Sequence, residues 1–278
     1  MRVRAFAKIN RSLRVLGTRA DGYHELQTVF QSIALHDTLT IRASRGPFTL
    51  TCDDPACPTD ETNLVARAAA AMWNAAGFRG APGGVTIDLK KRIPMQAGLG
   101  GGSSDAAAAL RALAKRWRVA GAKVVDAAGA LGADVPYFLE GGAMLGLERG
   151  DLLFQLAEPR PAWVVLVLPE FGVRTTDAFA WFDRSPDRAA PKRGGGVLYN
   201  DLEAPVVTRR PEIGRLISAL RRAGASQAAM SGSGSAVFGL FSSRPEAIWA
   251  KKRLVSASYQ TMVTRTINRT TYRRLAAT

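Results

Sequence analysis

Apolar and polar residues alternate with period two near the start of the chain, and a helical period takes over further along. Val3, Ala5 and Ala7, then Leu13 and Val15, alternate with mostly charged or polar residues, and the run 28–33 follows; this is the pattern of half-buried strands. Between them Arg19-Ala20-Asp21-Gly22 predicts a turn, because Asp-Gly supplies a residue that tolerates positive φ. Residues 62–76 (TNLVARAAAAMWNAA) predict a helix with Thr62 as N-cap and Gly77 closing it. The stretch 85–93 alternates again and predicts a strand that stops before Pro94. After a glycine-rich loop, 105–117 predicts a second helix, and 123–131 a third that ends at Gly132.

Pro159 and Pro161 break any helix or central strand. The expected division is therefore one domain over 1–157 and a second over 158–278. Beyond the break the pattern predicts strands at 163–168, 236–241 and 261–267, and helices at 212–223 (closed by Gly224) and 247–255. The Pro, Gly and basic residues of 188–196 predict a mobile loop. Without repeats or low-complexity segments, the second half suits an α+β sandwich.

Composition narrows the class. A chain of 278 residues, 47% of them apolar, fits two modest domains with proper cores. There is no run of about 18 uncharged apolar residues, so no membrane-spanning helix is expected. The start MRVRAFAKIN has no apolar core of a secretory signal, so a cytoplasmic location is expected. Cys52 and Cys57 form a C-x4-C with no second Cys/His pair, which reads as two reduced thiols rather than a disulfide framework or a zinc site.

Charge adds a question. The chain carries 38 Lys and Arg (30 Arg, 8 Lys) against 23 acidic residues, a net +15. Such a balance suits a nucleic-acid binder or an enzyme of polyanionic substrates. The basic residues are scattered, with small clusters at Arg221-Arg222, Lys251-Lys252-Arg253 and Arg273-Arg274, and no stripe interleaved with aromatics. Solvated helix faces are the expected reading, and nucleic acid is not an expected partner.

Candidate chemistry concentrates in Pro94, Met95, Gln96, Ala97, Gly98, Leu99, Gly100, Gly101, Gly102, Ser103 and Ser104, a loop wedged between a strand and a helix. Its glycines let backbone N–H groups point inward with no Cβ in the way, the helix adds its positive N-terminal end, and the serines add hydroxyl donors. The product is an anion cradle suited to phosphate. No Lys follows the glycines, as a P-loop requires, and the sixth position counted from Gly98 is Ser103, which a dinucleotide fingerprint would make Gly. A flexible linker is the plain alternative, but linkers are not followed by a small-residue helix such as DAAAALRAL.

Lys8 and Asn10 share one face of the first strand, since strand side chains alternate. A compact ammonium there can stabilise a developing alkoxide or phosphoryl charge, and Asp134, in the turn GADVP, is a candidate general base for a hydroxyl. An ordinary Lys8–Asp134 ion pair fits the spacing equally. Tyr23-His24 beside the first turn offers an aromatic face and an imidazole to a flat ligand, or a structural hydrogen bond. The second Gly/Ser loop, 230–236 (MSGSGSA), either closes over phosphates or is a tight turn.

AKIN at 7–10, RADGYHELQTVFQSI at 19–33, PMQAGLGGGSSDAAA at 94–108, GADVPYFL at 132–139 and SGSGSAVFGLF at 231–241 together resemble the GHMP kinase superfamily, in family order and over most of the chain. DGYHEL combined with AGLGGGSSDAA is similar to the branch that phosphorylates the 2-hydroxyl of a methylerythritol carried on cytidine diphosphate. The resemblance implies a two-domain α+β GHMP kinase fold, with an N-terminal part like ribosomal protein S5 domain 2 and a ferredoxin-like C-terminal part. It implies ATP over residues 94–104 with Asn63 and Lys91 near the nucleotide, Mg²⁺ with no ligands assigned, and small-molecule substrates. A monomer or homodimer is expected. Lys8 and Asp134 match the catalytic pair, Asn10 a residue beside the substrate, and Tyr23 and His24 the cytidine-recognition positions. Phe179, four residues after Thr175 in VRTTDAF, matches the second aromatic over the cytosine. The chain departs from the family at Arg11-Ser12, after AKIN, and at Leu147-Glu148-Arg149-Gly150-Asp151, where a G-x-G-E pattern is common.

Overall fold

The structure, a computed structural model, describes residues 1–185 and 199–277; the expected loop at 188–196 lies outside them. The two opening strand patterns are parts of long strands. β1 (Arg2–Thr18) and β2 (His24–Pro47) form an antiparallel pair around the predicted turn. The turn closes through Arg19 N–H to Tyr23 O (2.7 Å) and Gly22 N–H to Arg19 O (3.1 Å). On its other edge β2 carries two partners end to end. β5 (Ala143–Glu148) pairs with it from Leu26 to Gln31, and β4 (Gly83–Lys90) from Thr38 onward. β3 (Thr49–Cys52), β6 (Leu152–Gln155) and the short β8 (Tyr199–Asn200) complete a seven-stranded sheet.

The second sheet has the order β11 (Tyr259–Arg265), β7 (Trp163–Pro169), β10 (Val237–Phe241), β9 (Gln227–Met230), antiparallel throughout. With α5 (Thr175–Asp183), α6 (Glu203–Arg209) and α7 (Pro211–Arg222) before β9, and α8 (Arg244–Arg253) before β11, the order of strands and helices is ferredoxin-like. Alternation along β7 explains the layering. Val164 and Leu166 face the first sheet with Ala7, Ile9 and Phe238, while Val165 and Val167 face the helices with Ile213 and Leu220. On the far side of the first sheet lie α1 (Leu64–Ala75), α2 (Gly101–Trp117) and α3 (Gly121–Leu131), whose small Ala106–Ala109 run lets α2 approach closely. The result is four layers: helices, sheet, sheet, helices. No helix among the described residues is long and apolar enough to cross a membrane.

The two halves exchange elements. β8 pairs in parallel with β1, and α9 (Arg269–Ala276) returns to cover β1, burying Tyr272 against Phe6. Element ends correct several expectations. α2 begins at Gly101, not at 105, so the last four residues of the glycine loop, 101–104, are its first turn. α1 is capped by Asn63, whose side chain accepts the Val65 N–H (2.8 Å), whereas Thr62 bonds Asp60. Asn63→Ala should therefore lower stability by about 1–2 kcal/mol in urea unfolding, and Thr62→Ala should stay within about 0.5 kcal/mol. The reverse ranking would return the cap to Thr62.

Candidate active site

A cleft of about 1030 Å³ opens between the two halves, and the glycine loop forms one wall of it. The backbone of the loop is held from behind. Ala97 O accepts the Ala236 N–H (3.1 Å), Gly98 O accepts both Lys8 Nζ and Ser231 Oγ (3.0 Å each), and Leu99 O accepts the Lys8 N–H (3.0 Å). Because a peptide N–H points opposite to the preceding carbonyl, these bonds turn the following N–H groups toward the cleft. Among the described residues, the N–H groups of residues 98–103 donate to no protein acceptor, and hydrogen bonding resumes at Ser104 N–H to Gly100 O. Two glycines are obligatory. Gly98 (φ +74°) has Ser231 O where a Cβ would sit, and at Gly100 (φ +72°) a Cβ would lie 2.6 Å from Phe138. The 230–236 loop, left open by the sequence, thus packs behind the glycine loop, and Gly232 and Ser233 reach the cleft wall.

Register shifts in the β1–β2 pairing flank residues 8–10 and aim Lys8 and Asn10 into the cleft. Lys8 Nζ donates to Asn10 Oδ1 (2.6 Å) and lies 3.5 Å from Asp134 Oδ2. Asn10 is in turn fixed by Thr28 Oγ1 (2.8 Å). Asp134 precedes the short helix α4 (Tyr137–Glu140); its side chain is 34% exposed and accepts no hydrogen bond among the described residues. Lys8 and Asp134 stand as an ion pair beside the cleft that Asp134 lines.

Three expected nucleotide residues stand differently. Asn63 does not line the cleft, since its amide caps α1 and donates to Pro58 O (2.6 Å). The Ser104 hydroxyl is buried against Phe6 O (2.7 Å), which leaves Ser103 as the serine that lines the cleft beside the glycines. Lys91 borders the cleft, but its ammonium is held by Asp37 (2.5 Å) and Asp105 (2.8 Å), which sequence reasoning missed. Burial pulls the Lys91 ammonium down, yet the two carboxylates more than offset this and hold it above its ordinary value. Burial pushes the Asp105 carboxyl up to about 8 despite Lys91. The partners move in the same direction because the ammonium faces two carboxylates, whereas Asp105 shares one cation with a neighbour of its own sign.

The other end of the cleft is aromatic. His24 stacks on Phe179 of α5 (4.6 Å between rings, 20°), and its Nε2 pairs with Asp183 at 2.9 Å. Phe179 therefore lies on the imidazole itself, and Asp183 was not foreseen. Tyr23 is 59% exposed at the rim under the Arg149 guanidinium (5.4 Å). Arg149 also lines the cleft, and the departure from G-x-G-E was the one signal that marked it. Thr175, at the start of α5, meets Ser233 at 3.2 Å and joins the aromatic end to the 230–236 loop. No group of three or more His, Cys, Asp or Glu fit to hold a metal exists among the described residues.

Comparisons with known proteins identify the family and the fold. The family described as GHMP kinases N terminal domain matches residues 63–142, and the GHMP kinases C terminal family matches 187–260. The 4-diphosphocytidyl-2-C-methyl-D-erythritol kinase of Pelotomaculum thermopropionicum is 42% identical over 95% of this chain and 97% of its own. The protein of the same name from Moorella thermoacetica is 41% identical over 95% and 98%. A solved 4-(cytidine 5'-diphospho)-2C-methyl-D-erythritol kinase superposes with a TM-score of 0.82 at 36% identity, covering 96% of this chain and 99% of that one. Homoserine kinase from Cytophaga hutchinsonii shares the fold at 20% identity, with a TM-score of 0.71 over 96% and 95% of the two chains.

A methyl group at residue 98 meets backbone, whereas one at residue 102 has its nearest neighbour, Leu64 Cδ1, at 3.8 Å. Gly98→Ala should weaken ATP binding at least tenfold by calorimetry and lower the melting temperature, while Gly102→Ala should melt as the wild type does. Normal ATP binding by Gly98→Ala would show that the loop need not hold this shape.

Proposed function

We propose, because this chain belongs to the GHMP kinases and within them to the 4-diphosphocytidyl-2-C-methyl-D-erythritol kinases, that it transfers the γ-phosphoryl group of ATP to the 2-hydroxyl of 4-diphosphocytidyl-2-C-methyl-D-erythritol. One observation carries the reading: a run of unpaired N–H groups at 98–103 stands beside Lys8 and Asp134. Phosphoryl transfer asks little covalent chemistry of a protein, so positioning and charge stabilisation dominate. The N–H groups and the N-terminus of α2 hold the phosphates. Asp134 orients the attacking hydroxyl and takes up its proton. Lys8, fixed by Asn10 Oδ1 and Gly98 O, supports the charge that develops between nucleophile and γ-phosphate.

Tyr23, His24, Phe179 and Thr175 receive the cytidine end, and Arg149 faces its diphosphate. The groups come from both sides of the proposed division at 157/158, so the acceptor is gripped where the halves meet. Mg²⁺ suits this cleft as a cation held mainly by the ATP phosphates and their waters, with Asp134 as the carboxylate on offer; it would neutralise phosphate charge. The same reading has the enzyme acting in the cytoplasm as a monomer or homodimer.

The direct test is ADP release with the cytidine substrate, homoserine and mevalonate offered in parallel. Turnover confined to the cytidine substrate is expected, and turnover of either other alcohol in its place would sink the assignment. Asp134→Asn should lower kcat by ~10²-fold or more with little change in KM, and a kcat within a few-fold of wild type would make Asp134 structural. Phe179→Ala should raise KM for the cytidine substrate roughly tenfold and leave that for ATP nearly unchanged, since stacking contributes about 1–3 kcal/mol per base. Equal KM values in wild type and variant would remove Phe179 from the base site.

A further inference from the structure

Beneath the glycine loop lie three titratable groups that have no part in the transfer. Lys91 follows β4, Asp37 belongs to β2 and Asp105 to α2, and their side chains are 6%, 0% and 3% exposed. Asp37 does more than pair with the ammonium: its Oδ1 accepts the backbone N–H of Arg92 (2.5 Å) and of Ile93 (2.8 Å). Asp105 Oδ1 has no hydrogen-bond partner among the described residues. Two carboxyl groups thus share one almost wholly buried ammonium.

Such a cluster is a poor stabiliser, because desolvating its charges takes away most of what their attraction returns, and apolar residues of similar volume fill the space at least as well. Its best-attested use is to register one element against another. The elements registered here are the two ends of the phosphate loop. Residues 91–93, fixed by Asp37, lead the chain in; Asp105 stands one turn into the helix by which the chain leaves. The Lys91 ammonium bridges them and lies 3.3 Å from the place a Cβ on Gly101 would take, directly behind the first residue of α2.

We propose that Asp37, Lys91 and Asp105 form an ionic strut that fixes the entry of the phosphate loop against its exit, so that the N–H groups of 98–103 converge on one anion. They are positioning residues for the nucleotide and do not act on the alcohol. The inference rests on the reading of this loop as the ATP site. It gives Lys91 a role that needs no contact with ATP, since its ammonium already faces two buried acids.

The experiment compares full-length wild type, Lys91→Met, Asp105→Asn and the double variant in steady-state kinetics, well below their melting temperatures. Each single substitution should raise KM for ATP about tenfold or more and leave KM for the cytidine substrate within twofold. The double variant should be no worse than the poorer single one, because one strut can be broken only once. A KM for ATP within twofold of wild type in Asp105→Asn overturns the proposal. So does a double variant whose effect is the product of the singles, which would make Lys91 a nucleotide ligand in its own right. Should Lys91→Met fail to fold, the nearly isosteric Asp105→Asn decides through amide exchange without ligand. Faster exchange over 104–108 with β7 unchanged supports the strut, and unchanged exchange over 104–108 overturns it. Wild type that binds no ATP would instead overturn the functional reading, whatever the variants do.

Discussion

The carbonyls of Ala97, Gly98 and Leu99 are each held by a donor from outside their own loop, and the groups proposed to react take their places from those bonds. Lys8 supplies two of the donors, its backbone N–H to Leu99 O and its ammonium to Gly98 O. The residue proposed to support charge during transfer therefore also shapes the surface proposed to hold the phosphates. A planar peptide with its oxygen anchored presents its hydrogen on the other side, which is how an apolar, flexible-looking stretch becomes a rigid set of donors. The entropy lost in ordering so many glycines is met by packing: the side chains of Ala97 and Leu99 are buried in the layer between the two sheets.

Binding and domain packing are for this reason one problem. The bonds from Ser231 and Ala236 come from the second half of the chain, and those from Lys8 from the first. The aromatic end is built the same way, with His24 from the start of β2 stacked on Phe179 of α5 and paired with Asp183. Neither half alone contains a phosphate cradle with its back closed or an aromatic wall with its imidazole fixed. β8 on the edge of the first sheet and α9 over Phe6 tie the halves further.

Much of this was legible in the sequence because its signals are local. The glycines between a strand and a small-residue helix marked the loop whose N–H groups find no acceptor among the described residues, alternation placed Lys8 and Asn10 on one face, and the Asp-Gly turn fell where expected. The failures have a common cause. α2 starts at Gly101 because its first turn is held by Ser104 on Phe6 O, whereas glycine propensity alone argues for a loop. Asn63 and Thr62 are both good N-caps, and only the hydrogen bonds choose between them. Asp37 and Asp183 act across long sequence separations and carry no motif of their own. The short elements α4, β6 and β8 hold too few residues to show a period.

The central claim, that the N–H groups of 98–103 are the phosphate donors, is tested most directly by nuclear magnetic resonance on the full chain labelled with ¹⁵N-glycine, titrated with a non-hydrolysable ATP analogue. Hydrogen bonds to phosphate move amide protons downfield, so the Gly98, Gly100, Gly101 and Gly102 signals should shift together and saturate at one dissociation constant. Glycines remote from the cleft, such as Gly121 and Gly224, should stay in place. A nucleotide that binds while those loop signals do not move would place its phosphates elsewhere and contradict the account.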